Sequence, residues 1–284
     1  MGALLIGPVI DGAFFDLFDG LKASTVEHAS RRWHRIIPAY SPWLCFAPLL
    51  DEVPAELIYL QPPVRGGLIA DPLILSTMAD FLAGPGRPAI DELPGETAAW
   101  LPGPSGAGHA FDGALAIIAR TAGTVSDLYS RTVDYVVPLG GGRNRGFSTH
   151  LARGAIFRSL PAESDAWDVA IDLIHEVGHQ VLMTWQSVDP ILSSPHDAPV
   201  FSEIRRADRP AIQSFHAAVA LAFMRFLELR HPDEPGMRAA AARRGASYSG
   251  SLSLSLELAL KVVREACAVT DLGRRMIGEM EAVV

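Results

Sequence analysis

Apolar positions along the chain fall into helix-like and strand-like runs. Between residues 12 and 35 an apolar stripe recurs at Phe14, Phe15, Leu17, Phe18, Leu21 and Val26, the spacing of one face of a helix. Residues 37–75 are broken by prolines and read as irregular, with AELIYLQ as a strand-like run; residues 74–82 predict a short helix. The richest Pro/Gly stretch, residues 83–111, predicts a linker or a long surface loop with His109 exposed in it. Helical spacing returns from Ala110 to Tyr129. VDYVVPL (133–139) and GAIFRSL (154–160) read as strands, with the turn GGGRN (140–144) after the first. A helix follows, with apolar residues at Trp167, Ala170, Ile171, Ile174, Val177 and Val181, Ser164 as its expected N-cap, and Asp165 and Asp168 near its positive end. Residues 189–209 read as a loop. Pro210 suits the first position of a strongly apolar helix running to about Leu229. HPDEPG ends it, and two C-terminal helices complete the pattern; the larger begins in SLSLSLELAL, which also alternates like a strand.

This order of elements predicts an α+β fold, mostly helical, with a small β-sheet packed against the 166–185 helix and a C-terminal helical bundle. A chain of 284 residues, 49% hydrophobic and 20% charged, suffices for one large core or two intimately packed subdomains. The net charge is −8, and no Lys/Arg-rich run occurs, which argues against nucleic acid or an anionic membrane as partner. No run of 18 apolar residues exists, so no membrane span is expected, and the N-terminus lacks the basic region of a signal peptide. Cys45 and Cys267 make neither a disulfide framework nor a cysteine metal site; as buried thiols they fit a reducing cytoplasm, the expected location.

The chemistry is concentrated in DLIHEVGHQVLMTW, from Asp172 to Trp185. His175 and His179 stand four apart on a predicted helix, one turn above each other, so both imidazoles leave the same face. That spacing suits two nitrogen ligands on one cation. Glu176 projects about 100° round the helix from His175 and can lean toward a metal without binding it. In zinc peptidases a glutamate at this place is the general base for a bound water. Two core histidines bonded to backbone carbonyls are the bland alternative, but a buried His-Glu-His cluster without a metal leaves several polar groups to satisfy.

Such a site needs a third protein ligand. Glu203, twenty-four residues after His179, is one candidate, in the manner of peptidases that take a glutamate from a following segment. His216 is the other; it sits inside an apolar helix, on a face with Ile212, Val219, Ala220 and Phe223. His28 and His34 lie six apart and are no ligand pair, and His196 reads as an exposed loop residue.

These residues also carry a resemblance. Over roughly residues 130–230 the chain resembles the HExxH-type peptide-modifying proteins of ribosomal peptide natural-product (RiPP) clusters, a family of iron(II)/2-oxoglutarate-dependent peptide β-hydroxylases. The matching residues are His175, Glu176 and His179; Asp189-Pro190; Phe201-Ser202; Arg205, Arg209 and Pro210; and His216. The stretch VDYVVPL…FSTHLARGAIFRSLP is similar to the pair of strands before the family's motif helix. The chain departs from the pattern at Gly178, at Glu203-Ile204 and at Arg206-Ala207-Asp208, changes that bear on the substrate pocket more than on the metal ligands.

The resemblance implies that His175, His179 and His216 hold Fe(II). It implies that 2-oxoglutarate is the cosubstrate, with its distal carboxylate on Arg205 or Arg209, and that Glu176 orients a ligand or a water. The expected reaction is hydroxylation of a side-chain β-carbon in a ribosomally made precursor peptide. The alternatives are a Zn(II) metallopeptidase, with Glu176 as base and Glu203 or His216 as third ligand, and a catalytically silent peptide-binding domain. The expected division is an N-terminal helical region, 1–120, with no assignable role, and an HExxH metal-binding catalytic region, 121–284, packed with it as one compact unit.

Overall fold

The computed structural model describes residues 12–32, 66–69, 108–121, 124–139, 146–148, 153–160 and 163–284. The AELIYLQ run, the 74–82 helix, most of the Pro/Gly stretch, the GGGRN turn, His34 and Cys45 lie outside these residues. Among the described residues the fold is a mostly helical α+β arrangement. Its elements are α1 (Gly12–Arg32), β1 (Gly67–Leu68), α2 (Gly108–Arg120), α3 (Thr124–Thr132), β2 (Tyr135–Leu139), β3 (Gly146–Phe147), β4 (Ala155–Ser159) and α4 (Ala166–Trp185). Then come β5 (Pro199–Ser202), β6 (Ala207–Pro210), α5 (Ala211–Arg230), α6 (Pro235–Ala246), α7 (Leu252–Ala266) and α8 (Asp271–Glu281).

The strands β1 to β4 form one sheet in the order β1-β2-β4-β3, parallel except for the β3–β4 pair. Every residue of β2 and β4 is buried, the reason both read as continuous apolar runs and not as alternating ones. Pro138 cannot donate a ladder hydrogen bond, and its place in β2 fits because, among the described residues, β1 pairs only with Tyr135 and Val136. Tyr135 pairs with Ala155 and Leu139 with Ser159, so β2 and β4 run in register for their whole length.

Helix α4 lies at the centre. It packs against α2, α5 and α6, and α5 in turn packs on α7. Phe14 of α1 meets Trp185 of α4, ring centroids 5.8 Å apart, and belongs to the same core cluster as α4 and α5. Helix α5 is long and apolar enough to cross a membrane by length and composition alone, and 61% of its most apolar window is buried inside the protein.

Several local expectations are corrected. The N-cap of α4 is Asp165, not Ser164; its carboxylate accepts from the Trp167 backbone N–H at 2.8 Å. Pro210 caps α5 from the residue before its first turn and is also the last residue of β6. The expected helix over 110–129 is two helices. At the end of the first, the Thr121 hydroxyl donates back to the Ile117 carbonyl at 3.0 Å, a bond that competes with helix continuation. His109 is exposed, but in the first turn of α2 and not in a loop. The C-terminal region has three helices where two were expected; α6 starts with Pro235 in its first turn. SLSLSLELAL is helical: Ser251 accepts from the Leu254 N–H at 3.1 Å, and Leu252, Leu256, Ala259, Leu260 and Val263 face the core at helical spacing. Finally, the predicted loop 189–209 holds the hairpin β5–β6, paired from Pro199↔Pro210 to Ser202↔Ala207.

Candidate metal centre

Helix α4 presents two neighbouring rows of side chains. One row, Asp172–Glu176–Gln180, faces the sheet. Arg158 of β4 and Arg244 of α6 both pair with the Asp172 carboxylate, so one buried acid bridges two cations. The Ser148 hydroxyl, just past β3, donates to Glu176 Oε2 at 2.8 Å. Gln180 clamps the start of β4: its Oε1 accepts from the Gly154 N–H at 3.1 Å and its Nε2 donates to the Ala155 carbonyl at 3.0 Å. Burial lowers Arg158 to about 10, which leaves it charged at neutral pH, and the carboxylate of Glu176 works to hold that charge. The pairing is costly to break, since removing one partner strands a buried charge.

The other row, His175–His179–Met183, faces a cavity of about 840 Å³. The cavity lies between α4, the β5–β6 hairpin and α5, and Glu176 and His216 also line it. His175 Nε2 stands 3.1 Å from His179 Nε2, and His179 Nδ1 stands 3.2 Å from His216 Nδ1. His216 Nε2 donates to Gln186 Oε1 at 3.2 Å, because an amide oxygen can only accept. That bond fixes a consistent set of neutral tautomers. His216 Nδ1 then accepts from His179 Nδ1–H, which leaves the Nε2 lone pair of His179 facing His175. Burial keeps all three rings neutral: His179 is lowered to about 4, His216 to about 3, and His175 well below its usual value, helped there by His179, Arg158 and Arg205.

Neutral imidazoles are what a cation requires. Two nitrogens bound to one ion at about 2.0–2.1 Å stand about 3.0–3.4 Å apart, depending on geometry. The His175–His179 pair is therefore spaced as two ligands of one metal. His216 is close to the pair, but its nearer nitrogen meets the far side of the His179 ring. As they stand among the described residues, no three His, Cys, Asp or Glu side chains converge on one ion. His216 becomes a third ligand only by turning its ring from His179 Nδ1. In its present place it holds His179 in the tautomer that offers Nε2. The donor set fits a metal in kind, and two of its three members, His175 and His179, are also spaced for one ion.

Two helices set this arrangement. Gly178 is where α4 and α5 touch: a Cβ there would stand 3.2 Å from Ala220 Cα and 3.2 Å from Phe223 Cδ2. Ala220 is one turn past His216, so the missing side chain lets α5 bring that histidine to His179. Gly178, a departure from the family pattern in sequence, has this packing reason.

The other expected residues divide. Arg205 and Arg209 both line the cavity. Arg205 sits with its guanidinium 5.8 Å over the Tyr248 ring, while Arg209 Nε donates to Gln213 Oε1 at 3.0 Å. Glu203 is exposed in the hairpin turn and is not among the lining side chains. His196 is exposed, as expected, and reaches the cavity rim. Asp189 serves the frame: its Oδ1 accepts from the Ile191 N–H at 2.6 Å and the Thr270 hydroxyl at 2.8 Å, tying the end of α4 to the start of α8. Sequence reasoning missed Ser148, Arg153, Arg158, Asp172, Gln186, Arg244 and Tyr248. Asp172 and Arg158 carried a signal: an acid one turn before Glu176, and an arginine in an otherwise apolar strand.

Compared with protein-family models and with curated proteins, the sequence matches none.

Proposed function

We propose that the protein is an iron(II)/2-oxoglutarate-dependent oxygenase that hydroxylates a side-chain β-carbon of a ribosomally made precursor peptide. The observation that carries this reading is the meeting, in one cavity, of the His175–His179 pair, His216 from α5, and two arginines, Arg205 and Arg209. His175, His179 and His216 would hold the metal, His216 after its ring turns. Bound there with its cosubstrate, Fe(II) supplies the O2-activating chemistry that replaces a C–H by a C–OH bond while 2-oxoglutarate is decarboxylated to succinate. The protein's own part is binding and orientation. A guanidinium grips a carboxylate through two parallel charge-assisted hydrogen bonds, each worth about 1.5–3 kcal/mol. Arg205 would do this: it is exposed in the β5–β6 hairpin turn, lines the cavity and stands close enough to His175 to lower that ring's pKa. Tyr248 faces that guanidinium, its ring centroid 5.8 Å away. Glu176, fixed by Ser148, can hold a water or a substrate N–H at the cavity edge.

The second reading is zinc-dependent peptide hydrolysis, favoured by one observation, that Glu176 lines the cavity beside the histidine pair. There Glu176 would take the proton from an attacking water. The exposed position of Glu203 leaves His216 as the third ligand under either reading. The deciding experiment loads the metal-free protein anaerobically with Fe(II), adds 2-oxoglutarate, O2 and the precursor peptide encoded beside its gene, and follows succinate and the peptide mass. Succinate with a gain of one oxygen is the expected result. Zinc-supported cleavage of that peptide without succinate overturns it.

A further inference from the structure

Arg153 lines the same cavity as the histidines and has no acidic partner among the described residues. Among those residues its one hydrogen bond runs from Nη1 to the Met183 carbonyl at 3.2 Å. A guanidinium has five donors in a rigid fork, and one carbonyl leaves most of the fork unused. The residue is half-buried, and burial lowers its pKa, so the charge is held where water serves it poorly.

The position is built. Gly154, the next residue, has φ +91°, and a Cβ there would collide with the Asp134 carboxylate. Its N–H is clamped by Gln180, and its carbonyl accepts from the Asp134 N–H at 2.7 Å. The backbone beside Arg153 is thus fixed to α4 at the residue after His179. The side chain then reaches Met183, one turn beyond.

Arg205 works at the other end of the histidine pair, close enough to His175 to depress its pKa. His175 and Met183 are eight residues apart on one helix, about 12 Å along its axis. That backbone spacing is longer than a five-carbon dicarboxylate, and it puts Arg153 and Arg205 toward opposite ends of the histidine row. Among the described lining residues, Arg153 is therefore a cation additional to Arg205 and Arg209, the two expected to serve the cosubstrate. Among the described lining residues the opposing carboxylate is Glu176, which is already engaged by Ser148.

We propose that Arg153 is the anion anchor for the second ligand of the cavity, and that this ligand is a peptide segment presenting a carboxylate, an acidic side chain or a free C-terminus. The identity of the other ligand as cosubstrate rests on the oxygenase reading; the anion site itself does not. Arg153 is a specificity residue: it sets which peptide segment lies beside the histidines.

The test uses the full-length protein, metal-free and with Fe(II) under anaerobic conditions, and ligand-observed NMR titration. The probes are acetyl-Ala-Asp-Ala-amide against acetyl-Ala-Asn-Ala-amide for an acidic side chain, acetyl-Ala-Ala-Ala as free acid against its amide for a C-terminus, and 2-oxoglutarate. Wild type should prefer the acid of one pair at least tenfold, and the pair that shows it names the source. Arg153→Gln, which keeps much of the stem, should erase that preference while 2-oxoglutarate binding stays within twofold; Arg153→Lys should restore part of it. Arg205→Ala should do the reverse, losing 2-oxoglutarate and keeping the preference. Equal melting temperatures exclude a folding defect, and Lys rescue separates charge recognition from packing. A wild-type protein with no preference for either acid overturns the proposal, as does an Arg153→Gln protein that keeps it. Loss of 2-oxoglutarate binding in Arg153→Gln as severe as in Arg205→Ala also overturns it, since Arg153 then belongs to the cosubstrate. If 2-oxoglutarate binds to none of these proteins while the acid preference follows Arg153, the oxygenase reading fails and the anion site stands.

Discussion

Gly178 decides how close α5 comes to α4, and substituting it tests whether that approach builds the candidate metal centre. A Cβ at Gly178 would lie 3.2 Å from Ala220 Cα, a backbone atom that cannot step aside without moving α5, and 3.2 Å from Phe223 Cδ2. Ordinary carbon contacts lie near 3.5–4.0 Å, so Gly178→Ala asks the helices to part by a few tenths of an ångström. Against this strain stands the helix propensity of Ala over Gly, about 0.8–1.0 kcal/mol. The two effects nearly cancel, and Gly178→Ala should lie within about 1 kcal/mol of wild type in urea unfolding. Gly178→Leu adds three further carbons at a closed contact. Overpacking of this kind costs about 1–3 kcal/mol, the upper part of that range applying where backbone is struck. Less the propensity gain, the net loss should be about 1–2 kcal/mol. The larger effect falls on the site. His216 lies one turn before Ala220, so a displaced α5 takes it from His179, now 3.2 Å away. Co(II) titration followed by visible absorption should show near-normal affinity for Gly178→Ala and at least tenfold weaker binding for Gly178→Leu. A Gly178→Leu protein with wild-type stability and wild-type Co(II) affinity would refute the reasoning, because close helix contact would then not set the histidine spacing.

Other outcomes follow from the same geometry. His216→Ala should abolish stoichiometric metal binding while Glu203→Ala leaves it intact; the opposite pattern in metal analysis makes the glutamate the ligand. Asp172→Ala should cost about 3–5 kcal/mol in urea unfolding, because Arg158 and Arg244 are left buried without the carboxylate they share; a loss below about 1 kcal/mol would show that the bridge contributes little. In the metal-free protein the folded-state pKa values of His179, about 4, and His216, about 3, lie below the ordinary 6.5, so the unfolded chain binds more protons. The stability they contribute is fully present above pH 6.5 and is lost as pH falls toward 4 and then 3. For His179 the shift from 6.5 to about 4 corresponds to about 3 kcal/mol, which water in the cavity cuts to about 1–2 kcal/mol for a half-buried ring. Urea midpoints between pH 7 and 4 that do not change between wild type and a His179→Gln, His216→Gln double variant would contradict this.

What the sequence revealed follows from the range of each interaction. His175, Glu176 and His179 were legible because helical geometry alone fixes their relation, and β2 and β4 because strands buried on both faces read as unbroken apolar runs. His216 was legible as an imidazole in an apolar wall, though not the nitrogen it turns toward His179. The hairpin was hidden: ADRP has no strand-like alternation, and its pairing depends on a register with Pro199–Ser202 that no local pattern displays. Gly178 showed in sequence only as a departure, since its reason lies on another helix. Arg158, Asp172 and Arg244 were hidden as a set, because three residues from three elements meet only in the fold.

That buried set has a bearing on the cavity. Asp172 is shared by Arg158 and Arg244 and is committed to cations behind the site, which leaves Glu176, held by Ser148, as the carboxylate of α4 that lines the cavity. The arginines on the cavity side, Arg153, Arg205 and Arg209, come from the turn before β4 and from the hairpin, and Asp172 is not available to them. Three neutral histidines add no charge to offset theirs. A cavity of this balance favours anions over cations of equal size, with carboxylates the best fit to the guanidinium fork. A divalent metal placed by the histidines would be repelled by these arginines unless an anion entered with it. Metal and carboxylate should therefore bind with positive coupling: saturating 2-oxoglutarate should tighten Co(II) binding several-fold, and by linkage Co(II) should tighten 2-oxoglutarate by the same factor. Arg205→Ala should shrink that factor toward one while it strengthens Co(II) binding in the absence of the acid. Unchanged coupling in that variant would mean that the carboxylate is held elsewhere.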